Sequence, residues 1–293
     1  MFTIVMPVYN KVDYLEKSVN SVLTQTFSDF ELIVINDGST DLSHETLNAY
    51  DDPRMQIITT SNKGAATARN IGISKAEYPY IAFLDADDWW DERYLEEIKW
   101  LIVKYPNATI YATGRTHVFK SSTVRYNHRL LPVENSVGLL DYFQIISKYL
   151  PAINMSNTVV RKNNFQDTLR FVDGMRNYED HELWLRIATQ DSIVYVNKPL
   201  SFYRKDIAES QSKQRVLSND LLKYLETCDS VFRLITQKEK RWFQKYLNKF
   251  LLRSYAKYRN TFSSTDRKQL ESFCDTLLTG PNQWVYKALK FIT

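Results

Sequence analysis

An α/β fold, with a mostly parallel central sheet flanked by helices and a helical C-terminal extension, is the architecture this sequence predicts. The first hundred residues alternate strand-like and helix-like patterns, as successive β–α–β units do. Their strands are nearly continuous apolar runs, such as 30–35 and 80–84, which suits strands covered on both faces. Three of them end in polar residues, two of these ends being acidic: Pro7-Val8-Tyr9-Asn10, Asn36-Asp37-Gly38-Ser39-Thr40-Asp41 and Asp85-Ala86-Asp87-Asp88. In open α/β sheets ligands bind beyond the carboxyl ends of the strands, so the three ends converge on one site.

The elements follow in order. After a first strand over 2–6, Asp13 is placed to cap a helix to about Thr26, with Leu15, Val19, Val22 and Leu23 on one face. A helix over 42–50, a strand over 55–60 and a helix starting near Gly64 precede the acidic strand at 80–84 and a helix over 92–104. From Thr109 the pattern becomes mixed: short strands at 109–113, 117–125 and 157–161 surround a helix near 138–150. A helix over 180–189 and a strand over 193–196 follow. The polar stretch 204–215 lacks periodicity and reads as a mobile loop, and everything beyond it reads as helical. The expected division is a catalytic domain over 1–210, in halves 1–105 and 106–210, then an extension over 211–293.

Charge supports that division. Residues 1–210 carry 22 Lys+Arg against 27 Asp+Glu, a net −5, whereas 211–293 carry 16 against 7, a net +9. Two distant cysteines, Cys228 and Cys274, without metal-ligand spacing suit a reduced, cytoplasmic chain. The N-terminus enters a strand at once, so no secretory signal is expected, and no apolar run approaches the roughly 20 residues of a spanning helix. The sequence contains no G-x-G-x-x-G, no G-x-x-x-x-G-K-[ST], no H-E-x-x-H and no G-x-S-x-G. A dinucleotide Rossmann site, a P-loop, a zinc protease and a serine hydrolase are thereby disfavoured.

Carboxylates crowded at a strand end repel one another, and a bound cation offsets that repulsion. The plainer alternatives are that Asp85, Asp87 and Asp88 cap the following helix and that Asp37 makes a turn. Glu179 and Asp180 can likewise be helix N-terminal charges favoured by the helix dipole, and Trp184 a core residue.

Five blocks, taken in order, resemble the inverting family 2 glycosyltransferases of GT-A fold, of the bacterial surface-polysaccharide type. They are 5–10 (VMPVYN), 36–41 (NDGSTD), 64–72 (GAATARNIG), 84–88 (LDADD) and 178–186 (YEDHELWLR), and the resemblance covers about residues 1–205. It implies a nucleotide-sugar donor, most simply a UDP-sugar, and a divalent cofactor, Mn2+ or Mg2+, to stabilise the leaving diphosphate. By the same resemblance Asp37 meets the base, flanked by Pro7 and Tyr9. Asp85 faces the ribose, and Arg69 pairs with the base-binding acid or with a diphosphate oxygen. Asp87 is the metal ligand and Asp88 an auxiliary ligand near the donor sugar. Asp180, in the Glu179-Asp180 pair, is the general base that an inverting displacement requires. Glu179 lies at the sugar or acceptor, and Trp184 is an apolar platform beneath them. Where many members carry Tyr-Arg-x-His, this chain has Tyr203-Arg204-Lys205-Asp206. Asp206 then either replaces the histidine on the metal or leaves that place to water, and Arg204 or Lys205 meets the diphosphate. The loop 204–215 would close over the donor.

In the tail, Phe243, Leu247, Phe250, Leu251, Ser254 and Tyr258 fall on one face of a basic helix over 238–259. Such a helix either packs on the domain or offers its cations to an anionic membrane surface, and the sequence leaves open whether it makes a homodimer. The expected acceptor is a glycan or a lipid-linked one, and no nucleic acid is expected because the site region is acidic. Two rivals stand: a sugar-nucleotide-forming nucleotidyltransferase, which would need a Gly-rich loop in place of 7–10, and a non-catalytic nucleotide-sugar binding or scaffold protein.

Overall fold

A computed structural model describes residues 1–162, 170–189, 192–207 and 216–291. Its centre is a ten-stranded sheet. The first half alternates as expected: β1 (Phe2–Val8), α1 (Val12–Leu23), β2 (Phe30–Asn36), α2 (Ser43–Asn48), β3 (Met55–Thr59), α3 (Ala65–Lys75), β4 (Tyr80–Phe83), β5 (Trp89–Trp90) and α4 (Tyr94–Lys104). The second half comprises β6 (Ile110–Val118), β7 (Thr123–Arg125), β8 (Val137–Leu139), α5 (Tyr142–Ile146), a 3-10 turn (Met155–Asn157), β9 (Thr158–Arg161), α6 (Glu179–Ala188) and β10 (Ile193–Arg204). Four helices close the chain: α7 (Ser218–Leu234), α8 (Gln237–Tyr258), α9 (Ser264–Leu277) and α10 (Pro281–Phe291).

The strand order is β3-β2-β1-β4-β9-β6-β10-β5, with β7 on β6 and β8 on β10. β1, β2, β3 and β4 are parallel. β9 runs antiparallel between β4 and β6, and β6 is parallel to β10. The carboxyl ends of β1, β2, β4, β6 and β10 therefore share one edge. β2 and β4 lie on opposite sides of β1, so the order reverses there, the usual place for a ligand crevice.

Three local expectations need correction. Asp13 lies inside the first turn of α1, and Lys11 is its N-cap. The end of α1 is instead satisfied from afar: Val12 N–H donates to Asp41 Oδ2 at 3.1 Å and Lys11 N–H to Ser43 Oγ at 3.0 Å. The helix expected near 138–150 is only α5, because Val137–Leu139 pair with β10 and the Asp141 carboxylate, accepting from Gln144 N–H at 3.0 Å, starts the helix late. The acids of 85–88 do not cap α4, whose N-cap is Arg93. The two-residue strand β5 was not expected, being too short for any periodicity.

α3 lies directly on β1. A methyl group at Gly72 would stand 2.4 Å from Val5 Cγ1. Gly72→Ala is therefore expected to cost about 1–3 kcal/mol by overpacking; an unchanged urea midpoint would contradict this contact.

The apolar face of α8 is buried through Phe243, Leu247, Leu251, Ser254, Tyr255 and Tyr258, in one core with Leu183, Trp184 and Leu185 of α6. The tail helix thus packs on the domain. Among the described residues no helix is long and apolar enough to cross a membrane.

Candidate active site

Three stretches distant in sequence are tied together by Arg69. Its buried guanidinium donates from Nη2 to Asp85 Oδ1 at 2.6 Å, beyond the end of β4, and from Nη1 to Glu179 Oε1 at 3.3 Å, in the first turn of α6. Burial opposes the charge on Arg69, but Asp85 and Glu179 outweigh it and hold the group firmly protonated. The pairing expected with the base-binding acid does not form. Asp37, 3% exposed, is held by the loop before α3: Oδ1 accepts from Lys63 N–H and Oδ2 from Gly64 N–H, each at 2.8 Å. Thr60 Oγ1 adds a second donor to Oδ1 at 3.3 Å. Gly38 makes the turn possible, with φ +72° and no room for a Cβ beside Asn62 N at 2.9 Å. Pro7 and the 45%-exposed Tyr9 flank this loop at the end of β1, where Asn10 Oδ1 accepts from Thr40 N–H at 2.8 Å.

The acids after β4 have three different fates. Asp85 meets Arg69. Asp87 Oδ2 accepts from Lys11 Nζ at 2.5 Å. Burial and the neighbouring Asp85 push the Asp87 carboxyl upward against the pull of Lys11. Asp88 is fully buried, with Oδ2 accepting from Ser156 Oγ at 2.5 Å and Oδ1 from Arg204 N–H at 2.8 Å. The expectation that Asp88 touches donor sugar is therefore corrected: it fastens the acidic turn to the 3-10 turn and the end of β10. Burial, then the charges of Asp87 and Asp85, drive its carboxyl well up, which favours the neutral form.

The geometry suits a divalent ion in a limited sense. Among the described residues no group of three His, Cys, Asp or Glu side chains can hold a metal. Mg2+-type sites commonly use one or two carboxylates plus substrate phosphates and water, and a single hard ligand such as Asp87 meets that need. Asp206 sits 3.7 Å from Arg204 Nη1, paired with a cation. Arg204 donates from Nε to the Asp87 carbonyl at 3.3 Å and lies over Tyr14 and Trp89 at 4.9 and 5.1 Å. Lys205 lies 4.1 Å over the Tyr203 ring. Of the expected lid, residues 208–215 lie outside the described residues.

α6 presents Glu179 and Asp180 at its N-terminus, where the helix dipole favours anions. Burial and the adjacent Asp180 push the Glu179 carboxyl up to about 7, against the attraction of Arg69. Asp180 Oδ1 accepts from His181 N–H at 2.7 Å, and its Oδ2 has no partner among the described residues. The turn into this helix is strained, with Tyr178 at φ +65°. The extension braces it: Tyr178 stacks on Tyr224 of α7 at 5.0 Å, and Asp220 Oδ2 accepts from the backbone of Arg176 and Asn177, both at 3.0 Å. The basic tail thus supports the site. Trp184 is 0% exposed inside the core, so it offers no ring face to a ligand, a correction of its expected role as a platform. A helix places residues four apart one turn deeper on the same side, and here that side faces the core.

Lys11 and Ser156 belong to the site without having been expected there. Lys11 directly follows the 5–10 block, so its place was legible. Ser156 reaches Asp85 N–H and Asp88 from 71 and 68 residues away, with no local signal.

Residues 3–168 match the family Glycosyl transferase family 2, and the chain belongs to that family. It is 30% identical over 211 residues to the glycosyltransferase GlyA of Streptococcus pneumoniae, covering 69% of this chain and 30% of that protein. It is 46% identical over 92 residues to an uncharacterized glycosyltransferase of Haemophilus influenzae, covering 30% of this chain and 37% of the relative. The chain spans about a third of the length of such curated relatives. In three dimensions it is similar to S. aureus TarS 1-349 in complex with UDP-GlcNAc, with TM-score 0.75 and 18% identity over 94% of this chain and 81% of that one. The fold is thus the GT-A fold that the resemblance implied.

Proposed function

We propose that this chain transfers a sugar from a UDP-sugar to an acceptor hydroxyl with inversion, using Asp180 as the general base. The observation that carries the reading is the Asp85–Arg69–Glu179 bridge, which joins the donor-side acids to the turn bearing Asp180. Asp37, Pro7 and Tyr9 hold the uracil, and Asp85 orients the ribose while Arg69 fixes its carboxylate. Asp87 would hold a divalent ion, Mn2+ or Mg2+, whose chemistry is to offset charge on the departing diphosphate. Lys11 stands beside Asp87, and Arg204 and Lys205 supply further positive charge at the same edge. The acceptor hydroxyl gives its proton to Asp180 Oδ2 as its oxygen bonds to the anomeric carbon, while the bond to the diphosphate oxygen breaks on the opposite face. That single displacement inverts the centre. A UDP donor is supported by TarS, whose structure in complex with UDP-GlcNAc has the same fold.

The acceptor in this reading is a lipid-linked glycan in surface polysaccharide synthesis. With the apolar side of α8 buried, exposed Lys238, Arg241, Lys245, Arg253 and Lys257 can attract an anionic membrane surface by charge alone, on the cytoplasmic side. The test is UDP release from a panel of UDP-, GDP- and dTDP-sugars with Mn2+. The proposal expects turnover of a UDP-sugar; turnover of none, with UDP bound, would leave a nucleotide-sugar binding protein instead.

A further inference from the structure

We propose that the crevice continues, at the ends of β6 and β10, into an acceptor subsite for a pyranose ring, built by His117 and Tyr203. The inference rests on the glycosyl-transfer reading above and names the chemistry of its second substrate. His117 and Tyr203 are register partners on adjacent parallel strands, whose carboxyl ends share the edge with the acidic turn. Tyr203 directly precedes Arg204, whose N–H donates to Asp88 Oδ1 at 2.8 Å, so the pair stands next to the acidic turn. A ligand against Tyr203 therefore lies beside the strand end that carries Asp85, Asp87 and Asp88.

Behind this pair stands a support that core packing does not require. Arg115 is buried without a carboxylate partner among the described residues; Nη1 and Nη2 donate to the carbonyls of Ala152 and Pro151, each at 2.7 Å. Its guanidinium lies 4.1 Å over the Tyr126 ring, and its Nε donates to His117 Nε2 at 3.1 Å. An arginine can only donate, so His117 Nε2 is an acceptor and the proton of the neutral ring sits on Nδ1. Burial and the Arg115 charge hold the ring neutral, lowering its titration to about 4. The Nδ1–H and the Tyr203 hydroxyl have no hydrogen-bond partner among the described residues.

The neighbouring rings continue outward. His117 lies 5.7 Å from Tyr203 and 5.8 Å from Tyr126, which is 5.3 Å from His128, itself stacked on Tyr149 at 4.1 Å. His117, Tyr203 and Tyr149 are each half-buried. Aromatic faces with a few fixed polar groups are the usual lining of a small-molecule site. A pyranose presents an apolar C–H face to such rings and hydroxyls to the unfilled donors. An open-chain polyol has no such face, and a lipid chain leaves the donors unpaired.

Saturation-transfer NMR with methyl β-D-glucopyranoside, methyl N-acetyl-β-D-glucosaminide and sorbitol, with and without UDP, tests the subsite. The expected result is binding of a pyranoside but not sorbitol, weakened about fivefold in His117→Phe and in Tyr203→Phe, the worth of one hydrogen bond. Tyr203→Phe should melt like the parent, His117→Phe lower because it leaves the buried Arg115 Nε–H without its acceptor, and both should keep the parent's UDP affinity. Pyranoside binding that is absent in the parent, equal in the variants or matched by sorbitol would overturn the inference. Failure of the donor reading shows separately, as loss of UDP binding by the parent, while the titration without UDP still decides the subsite.

Discussion

Arg69→Met is expected to destabilise the protein by about 3–5 kcal/mol at neutral pH, the usual cost of removing one partner from a buried ion pair. Arg69 is buried and is the bridge between Asp85 and Glu179, so its loss leaves both acids facing each other across the crevice. The deficit should depend on pH in a defined direction. Glu179 already titrates near 7 in the fold, above its ordinary value of 4.5. A carboxyl raised in this way contributes stability below the unfolded value and loses it as pH rises through the folded value. Without Arg69 the folded value rises further, so the deficit should grow from pH 5 to pH 8. Urea unfolding at both pH values checks this; a deficit below about 1 kcal/mol, or one independent of pH, would remove Arg69 from the role of bridge.

Asp180→Asn is expected to lower turnover by roughly 10²–10⁴ while leaving UDP binding unchanged. Asparagine can still accept from His181 N–H at the Oδ1 position, so the helix start is kept and only the basic oxygen is lost. Near-normal turnover in the variant, with chemistry shown to be the slow step, would transfer the role to Glu179, whose carboxyl titrates at about 7 beside it.

The strand ends and their acids were legible because motif and strand are contiguous: an apolar run fixes the strand, and the residues after it must lie at the sheet edge. What the acids do there was not legible. Asp85, Asp87 and Asp88 look alike in sequence, yet one meets Arg69, one Lys11 and one Ser156. Those partners lie 16, 76 and 68 residues away, and no local periodicity reports them. Trp184 went astray for a related reason: spacing puts it one turn below Asp180, but only the packing of α7 and α8 decides that this side of α6 is core. The tail was read correctly as helical and amphipathic. Its bracing of Tyr178 through Tyr224 depends on a long-range stack that composition cannot express.

Calorimetric titration of UDP into the parent and into Asp87→Asn, each with Mn2+ and with EDTA, tests the central claim most directly. Asp87 is bound to Lys11 at the edge where β1 and β4 end, and in the proposed mechanism it would hold the ion that offsets the charge of the diphosphate. The parent should bind UDP more tightly with Mn2+ than with EDTA, and Asp87→Asn should show one weak affinity under both conditions. The same gain from Mn2+ in parent and variant would contradict the assignment of this strand end as the metal-linked donor site.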